Sequence, residues 1–145
     1  MFFIVSLLTF LIDQASKIFI MKTIVQGQSF PVIANVFHIT YIHNPGAAFG
    51  LMANRTSFFI AVSLLVIAGI IIFYKKSRAR TGIMPAAMGL IAGGALGNLF
   101  DRIRFGEVID FIDLRVWPVF NLADSAIVIG AGLFMIALWR AERRD

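Results

Sequence analysis

The segment Val108–Val128, VIDFIDLRVWPVFNLADSAIV, holds three aspartates in a strongly apolar sequence. Asp110, Asp113 and Asp124 fall within fifteen residues, and the last of them lies just inside an apolar run that continues to Trp139. A helix rises about 1.5 Å per residue, so a run of this length covers the roughly 30 Å hydrocarbon core of a membrane. The segment therefore predicts a membrane-spanning helix with acidic side chains gathered at one end.

Three further apolar runs have a similar length. The chain is 59% hydrophobic with a mean hydropathy of +0.87, outside the range of soluble domains. We predict an all-α membrane protein that forms a single integral-membrane domain over residues 1–145. Its four transmembrane helices are expected at about residues 2–21, 57–74, 83–100 and 122–139. The first run lacks the basic start and small-residue exit of a signal peptide, so we expect it to be retained.

Basic residues bracket the apolar runs, which argues against nucleic acid as a partner despite a net charge of +5. Seven follow the second and fourth runs: Lys75, Lys76, Arg78, Arg80, Arg140, Arg143 and Arg144. Five lie at the opposite ends: Lys22, Arg55, Arg102, Arg104 and Arg115. Because cytoplasmic ends carry the excess of basic residues, we expect both termini in the cytoplasm. The connections at residues 22–56 and 101–121 then lie on the outer face.

The first outer connection contains a strand signal. Apolar and polar side chains alternate from Phe37 to His43, as in a half-buried strand. We expect this connection to form a small antiparallel sheet on the membrane surface. It ends in NPGAAFG, Asn44–Gly50, where Gly46 lets a ligand approach the backbone closely.

Charged residues inside the first run favour interior positions. Asp13 and Lys17 are spaced i, i+4 on one helix face. A charge near the bilayer centre costs roughly 2.5–3.5 kcal/mol, so such residues find partners or face a wet cavity. The spacing leaves open whether the two pair with each other or act at a site.

The third run combines glycine with polar residues. Gly89, Gly93 and Gly97 form a doubled GxxxG ridge, which favours close packing against another helix. A second helix face brings polar groups to the outer boundary, and its members are Gly94, Asn98 and Arg102 with Asp101 beside them.

Five of the eight acidic residues gather at the outer boundary: Asp101, Glu107, Asp110, Asp113 and Asp124. Each also has a purely structural interpretation, and Asn121 with Asp124 matches a helix capping box. Two close carboxyl groups cannot both ionise cheaply, so a pair would hold one acid and one base and could hydrolyse a bond without metal. The residues favour an aspartate dyad but leave its members open among the five.

Other hydrolytic chemistries lack their signatures. The sequence has no cysteine, no HExxH, no GxSxG and no Walker-type glycine loop. His38 and His43 are five residues apart in a strand-like stretch, which does not suit a shared metal ion. We therefore predict neither a metal nor a cofactor.

Five sequence blocks, taken in order, resemble the lipoprotein signal peptidases, or signal peptidase II, a family of bacterial inner-membrane aspartyl peptidases. The blocks are DQASK (13–17), NPGAAF (44–49), GNLFDR (97–102), VIDF (108–111) and FNLADS (120–125). The resemblance runs the length of the chain. It implies four transmembrane helices, a small periplasmic β-cradle from the first connection and a short periplasmic helix in the second.

The resemblance also implies roles for individual residues. The catalytic aspartates of the family fall on Asp110 and Asp124. Residues expected to hold the substrate backbone are Asn44 and Arg102, and those expected to orient the aspartates are Asn98 and Asn121. Residues at motif positions with structural or supporting roles are Asp13, Lys17 and Asp101. Gly46 remains a substrate-binding candidate because of its backbone freedom.

The implied substrate is a prolipoprotein whose cysteine already carries diacylglycerol, cleaved on the amino side of that cysteine. Membrane lipids are the other implied partner, and we expect a monomer. The site would face the periplasm at the outer surface of the bacterial cytoplasmic (inner) membrane. Burial of two acyl chains, at about 0.8 kcal/mol per CH₂, would fix the depth of the substrate.

Two other functions fit parts of the sequence. Asp13, Lys17 and Asp124 could form a charge relay in a small proton- or ion-coupled carrier, and the glycine ridge could serve a non-catalytic scaffold. Four short transmembrane helices without inverted repeats argue against the carrier, because alternating access usually requires two repeats that move against each other. Metal-independent cleavage of a lipidated precursor would separate a peptidase from both.

Overall fold

The computed structural model describes residues 1–46, 55–76 and 82–143. In chain order the elements are α1 (Phe2–Thr23), β1 (Ser29–Ile33), β2 (Phe37–Asn44), α2 (Thr56–Lys76), α3 (Met84–Phe105), β3 (Val108–Asp113) and α4 (Leu122–Glu142). The four predicted helices are confirmed. They start within one residue of the predicted runs and end two to five residues beyond them.

The central helix of the bundle is α3, which contacts α1, α2 and α4. Most of its 22 residues are buried, whereas α2 buries only Ser63 among its described side chains. A Cβ added at Gly93 would lie 2.5 Å from the Ser6 carbonyl oxygen, and one added at Gly94 would lie 2.5 Å from the Ala123 carbonyl oxygen. Only glycine permits these approaches, so the predicted small-residue packing is confirmed.

Three helices in the described part of the chain, α1, α2 and α4, are long and apolar enough to cross a membrane. The helix α3 falls short because glycine, Asn98 and Asp101 lower its mean hydropathy. Asn98 and Asp101 are buried inside the bundle, and the other helices supply most of its apolar exterior. The fold is therefore mostly helical and has the character of a membrane protein.

The sheet has three antiparallel strands in the order β1-β2-β3. The strand predicted from the alternation at Phe37–His43 is confirmed as β2. Its ladder with β3 runs from the pair His38–Asp113 to the pair Asn44–Val108. The third strand comes from the second outer connection, where no strand was predicted. Because β3 is buried on both faces, its sequence lacks the alternation that marks a half-exposed strand.

The short outer helix implied for the second connection is wrong. Residues 106–121 are all described, and they form β3 and an irregular loop without a helix. The preceding helix continues to Phe105 and ends where Gly106 adopts a φ of +79°, a left-handed conformation that suits glycine. Pairing with β2 satisfies the backbone of Val108–Asp113 and uses the residues that a separate helix would have needed.

A buried apolar cluster fastens the sheet to the bundle. Ile20 from α1 packs with Tyr41, Ile109 and Phe111 of the sheet, and Phe105 at the end of α3 borders them. Burial of side chains of this size stabilises by about 1.5–3 kcal/mol each. The cluster therefore fixes the ends of β2 and β3 beside the start of α4.

Candidate active site

Two aspartates reach one cavity from different elements. Asp110 is the third residue of β3, and Asp124 lies in the first turn of α4. Both line a cavity of about 340 Å³, and Asp110 is only 1% exposed. Of the five acidic candidates at the outer boundary, these are the two that line this cavity.

Asp124 is held by a capping box at the start of α4. Asn121 is the N-cap, and its Oδ1 accepts a hydrogen bond from the Asp124 amide over 2.9 Å. Asp124 Oδ2 accepts in return from the Asn121 amide over 3.4 Å. The capping box predicted for Asn121 and Asp124 is therefore confirmed. The cap occupies Oδ2, while Oδ1 accepts from Asn98 Nδ2 over 2.7 Å.

Two side-chain amides connect the aspartates. Asn121 Nδ2 donates to Asp110 Oδ1 over 2.6 Å and to Asn98 Oδ1 over 3.1 Å. Asn98 Nδ2 then donates to Asp124 Oδ1. A continuous path of hydrogen bonds therefore runs from Asp110 to Asp124 through two buried asparagines. Each amide has a partner at its oxygen and at its nitrogen, which fixes its orientation.

The second oxygen of Asp110 is held from β2. Asn44, the last residue of that strand, donates through Nδ2 to Asp110 Oδ2 over 2.8 Å. The Oδ1 atom of Asn44 accepts from the Gly46 amide over 3.0 Å, and both residues line the cavity. The rest of the NPGAAFG segment, residues 47–50, lies outside the described residues.

The surroundings of Asp110 favour its protonated form. Burial, followed by the negative charge of Asp124, raises the pKa of Asp110 to about 7. The hydrogen bonds from Asn44 and Asn121 and the charge of Lys17 act in the opposite direction without cancelling the effect. The Asp110 carboxyl can therefore gain or lose its proton near neutral pH.

Arg102 places a cation in the cavity wall. Its guanidinium carbon lies 5.0 Å from the centre of the Phe59 ring, within the range of a cation–π contact. Because Phe59 belongs to α2, this contact joins α2 to the outer end of α3 across the cavity. The apolar part of the lining includes Val62, Trp117, Phe120 and Ile127.

A second buried cluster lies beside the cavity. The Lys17 ammonium is 2.8 Å from Asp13 Oδ2, 2.7 Å from Asp101 Oδ2 and 3.1 Å from Asn98 Oδ1. The three charged side chains are at most 1% exposed. Of the two possibilities left open for Asp13 and Lys17, mutual pairing is present, and Asp101 completes the cluster. All three Lys17 N–H donors have an acceptor.

This cluster also holds the backbone next to each aspartate of the cavity. Asp13 Oδ1 accepts from the Ala123 amide over 2.9 Å, and Asp101 Oδ2 accepts from the Ile109 amide over 3.3 Å. Ala123 directly precedes Asp124, and Ile109 directly precedes Asp110. The cluster therefore anchors both elements that carry the cavity aspartates.

The two remaining acidic candidates, Asp113 and Glu107, make their contacts outside the cavity. Asp113 accepts from Thr40 over 2.8 Å and contacts Arg115 over 3.1 Å at the far end of β3. Glu107 lies 3.1 Å from His43 Nδ1. Sequence reasoning passed over Gln14, which donates to Asp101 Oδ1 over 3.0 Å. Its only signal was its place beside Asp13 in the first sequence block.

The chemistry of the cavity follows from these groups. Within the described ranges, no three histidine, cysteine or acidic side chains converge as metal ligands. Two coupled carboxyls can hold one proton and one negative charge together, which provides an acid and a base for hydrolysis by water. The cavity therefore holds the groups that an aspartate-based hydrolysis would need.

A family profile described as Signal peptidase (SPase) II matches residues 5–140. The chain belongs to this signal peptidase II family. Membership makes it an enzyme, an aspartic peptidase of family A8, and replaces the carrier and scaffold alternatives. The resemblance inferred from the five sequence blocks is confirmed.

Curated relatives of the signal peptidase II chain match over almost their whole length. One is the "Lipoprotein signal peptidase" of Halothermothrix orenii, 49% identical over 143 residues, which cover 99% of this chain and 98% of that protein. Another is the "Lipoprotein signal peptidase" of Pelotomaculum thermopropionicum, 50% identical over 136 residues, with 94% and 90% covered.

Two solved structures share the fold of this signal peptidase II chain, and both are described as bacterial membrane enzymes determined by the in meso method. One has a TM-score of 0.89 at 34% identity and covers 98% of this chain and 89% of its own. The other has a TM-score of 0.84 at 36% identity and covers 93% and 90%. The chain is therefore a multi-pass membrane protein with the fold of a bacterial membrane enzyme.

Proposed function

We propose that Asp110 and Asp124 are the catalytic pair of this signal peptidase II. The bond they cleave would lie on the amino side of a cysteine that carries diacylglycerol. Family membership makes the chain a lipoprotein signal peptidase, which cleaves signal peptides from prolipoproteins. The observation that carries the assignment is the path of hydrogen bonds from Asp110 through Asn121 and Asn98 to Asp124 in one cavity.

The two carboxyls share one proton in the resting enzyme. Asp110 holds it below neutral pH, because burial and the charge of Asp124 raise its pKa to about 7. The ionised carboxylate takes a proton from a water molecule, whose oxygen attacks the scissile carbonyl carbon. The protonated carboxyl gives its proton to the carbonyl oxygen, so that a gem-diol forms. The carboxyl that took the water proton then donates it to the departing amine nitrogen, while the first carboxyl takes a proton back from a gem-diol hydroxyl as the C–N bond breaks. The two groups therefore exchange roles between the steps, and the pair ends with one proton, as it began.

The other cavity residues bind the substrate or hold the pair. Asn98 and Asn121 orient the carboxyls through the amide path. Arg102 is the one cation in the described lining of the cavity, and a substrate carbonyl oxygen is an acceptor that suits it. Asn44 holds Asp110 and faces the substrate backbone at the cavity edge, where Gly46 leaves room for a close approach.

The buried cluster of Asp13, Lys17 and Asp101 has a supporting role. Its hydrogen bonds to Ala123 and Ile109 fix the backbone on which the catalytic pair stands. None of its three charged side chains lines the cavity. We therefore assign it to positioning and stability.

The lipid part of the proposed substrate is supported by a second cavity of about 390 Å³. It shares Trp117, Phe120 and Asp124 with the first cavity, and most of the rest of its lining is apolar: Leu114, Val128 and Ile129. Val128 and Ile129 are exposed on α4, where the bundle faces lipid. An acyl chain on the cysteine could lie there while the bond before that cysteine lies at Asp124.

The proposed topology places the site at the outer, periplasmic face of the bacterial cytoplasmic (inner) membrane. All four helices cross the membrane, with α3 shielded from lipid by the others, and both termini are cytoplasmic. Lys75, Lys76, Arg140 and Arg143 lie at the helix ends away from the sheet, as expected for a cytoplasmic side. The chain works as a single domain over residues 1–145 and as a monomer, since one chain supplies both aspartates and their partners.

A processing assay tests the proposed substrate. Purified enzyme in detergent is incubated with one precursor in two forms, with and without diacylglycerol on the cysteine, in the presence and absence of EDTA. We expect cleavage before the cysteine of the lipidated form only, at a rate that EDTA leaves unchanged. Equal cleavage of both forms would contradict the lipid requirement, and loss of activity with EDTA would contradict the aspartate mechanism.

A further inference from the structure

The cavity face of the sheet carries one diagonal pair of polar side chains. Asn44 of β2 is the register partner of Val108 of β3, and Asp110 lies two residues further along β3. Side chains two residues apart share a face of a strand, and diagonal neighbours across a strand pair lie within reach of polar side chains. The hydrogen bond of 2.8 Å between Asn44 Nδ2 and Asp110 Oδ2 is this diagonal contact.

The opposite face of the same strand ends carries a second diagonal pair. His43 is the register partner of Ile109, and Glu107 lies two residues before Ile109. His43 Nδ1 is 3.1 Å from Glu107 Oε2. His43 Nε2 is 2.7 Å from the Tyr41 hydroxyl, so both ring nitrogens have a partner. Neither His43 nor Glu107 lines the cavity.

The pair of His43 and Glu107 lies at the end of the β2–β3 ladder. Asn44–Val108 is the last register pair between β2 and β3, and Glu107 lies one residue outside it. Strand ends open more readily than strand centres, because fewer hydrogen bonds and contacts hold them. A contact between His43 and Glu107 resists that opening at the residue next to Asn44.

We propose that His43 is a positioning residue for the reaction: its contact with Glu107 clamps the end of the β2–β3 ladder and keeps Asn44 within hydrogen-bond distance of Asp110. The proposal rests on the proposed catalytic role of Asp110. His43 acts through Asn44 and does not touch the substrate.

The surroundings of His43 make the clamp independent of its protonation state. The groups that face it are the Tyr41 hydroxyl, the Glu107 carboxylate and the Phe105 ring, whose centroid is 6.3 Å from that of the imidazole. Arg104 is the next charge, with its guanidinium carbon 4.9 Å from the Phe105 ring centre. A neutral His43 donates from Nδ1 to Glu107 and accepts from Tyr41, and a protonated one donates to both, because a hydroxyl can donate or accept.

The test compares His43 variants by their pH profiles. In His43→Ala we expect kcat to fall about 5- to 10-fold and KM to stay within about twofold. The upper limb of the kcat profile should move to higher pH by up to about one unit, because Asp110 loses a hydrogen bond that favours its ionised form. His43→Asn, whose amide nitrogen can reach Glu107 in place of Nδ1, should retain most of the wild-type rate and the wild-type limb.

Partner and control variants separate the clamp from general damage. Glu107→Ala should show the same limb shift, and the double variant His43→Ala/Glu107→Ala should be no worse than either single variant. His38→Ala, at the other end of β2, should leave kcat within about twofold and the limb unmoved. If His43→Ala does not fold in detergent, Glu107→Ala decides, because Glu107 is 37% exposed and its removal leaves no buried carboxylate.

The proposed role of His43 is wrong if folded Glu107→Ala or His43→Ala keeps the wild-type kcat and the wild-type upper limb of the kcat profile while Asp110→Asn is inactive. An active Asp110→Asn would instead remove the proposed function on which the clamp rests. The two failures are therefore distinguishable in one set of variants.

Discussion

Lys17 donates a hydrogen bond over 3.1 Å to Asn98 Oδ1, and this contact decides which way the Asn98 amide faces. With its oxygen directed to Lys17 and Asn121, the amide nitrogen is left to donate to Asp124. A buried charge inside the bundle therefore orients a side chain at the proposed catalytic pair. Two clusters that look separate in the sequence meet at one asparagine.

Replacing Asn98 by alanine should impair both catalysis and stability. Asp124 would lose a hydrogen bond, and we expect kcat to fall about 10- to 100-fold, the equivalent of roughly 1.5–3 kcal/mol for a bond to a charged group. Lys17 and Asn121 would each lose an acceptor, so the free energy of unfolding should fall by about 1–3 kcal/mol. Steady-state kinetics and thermal unfolding in detergent measure the two effects. An Asn98→Ala enzyme with wild-type kcat would contradict the orienting role.

Replacing Lys17 by methionine should lower the free energy of unfolding. Asp13 and Asp101 would remain buried without their counter-ion, and loss of one member of a buried ion pair costs about 3–5 kcal/mol. Lys22→Met is the matched control, because Lys22 is exposed in the last turn of the same helix and its loss should cost no more than about 0.5 kcal/mol. Equal thermal stability of the two variants would show that the cluster does not stabilise the bundle.

Activity and stability should both depend on the proton of Asp110, whose pKa is raised to about 7. Activity should decline above about pH 7 as the pair loses its shared proton. Because the folded-state pKa lies above the unfolded one, the contribution of Asp110 to stability is complete below about pH 4 and is lost as the pH rises through 7. The thermal midpoint of the wild type should therefore fall more between pH 4 and 8 than that of Asp110→Asn. Parallel curves for the two proteins would contradict the raised pKa.

Close packing of α1 on α3 should make Gly93 intolerant of a methyl group. The Cβ of Gly93→Ala would lie 2.5 Å from the Ser6 carbonyl oxygen, and overpacking of this kind costs about 1–3 kcal/mol. Gly69→Ala in α2 is the control, because a Cβ there has no atom of the described structure within 4 Å apart from its chain neighbours and the nearby backbone of its own helix. Alanine's higher helix propensity should leave that variant neutral or more stable by up to about 1 kcal/mol. Thermal unfolding of both variants in the same detergent gives the comparison.

The helices could be located from the sequence because each apolar run has the length that a membrane crossing requires, although α3 falls short in mean hydropathy. The strand β3 could not, because its two faces are both buried and VIDFID lacks the alternation of a half-exposed strand. The short helix inferred there from family resemblance was wrong, since Val108–Asp113 pairs with β2 instead.

The sequence alone does not identify the members of the proposed aspartate pair. Asp113 and Asp110 are equally plausible by composition and spacing, and only the ladder with β2 and the contacts of Asn121 separate them. The family resemblance supplied the choice of Asp110 and Asp124. The contacts of Gln14 and His43 depend on residues more than sixty positions away, which no local pattern records.

The most direct measurement is processing of a lipidated prolipoprotein by purified Asp110→Asn and Asp124→Asn enzymes whose folding is checked by thermal unfolding. We predict that each substitution abolishes cleavage before the lipidated cysteine while the protein remains folded, because one carboxyl cannot supply both the acid and the base. Wild-type processing by either folded variant would contradict the assignment of the catalytic pair.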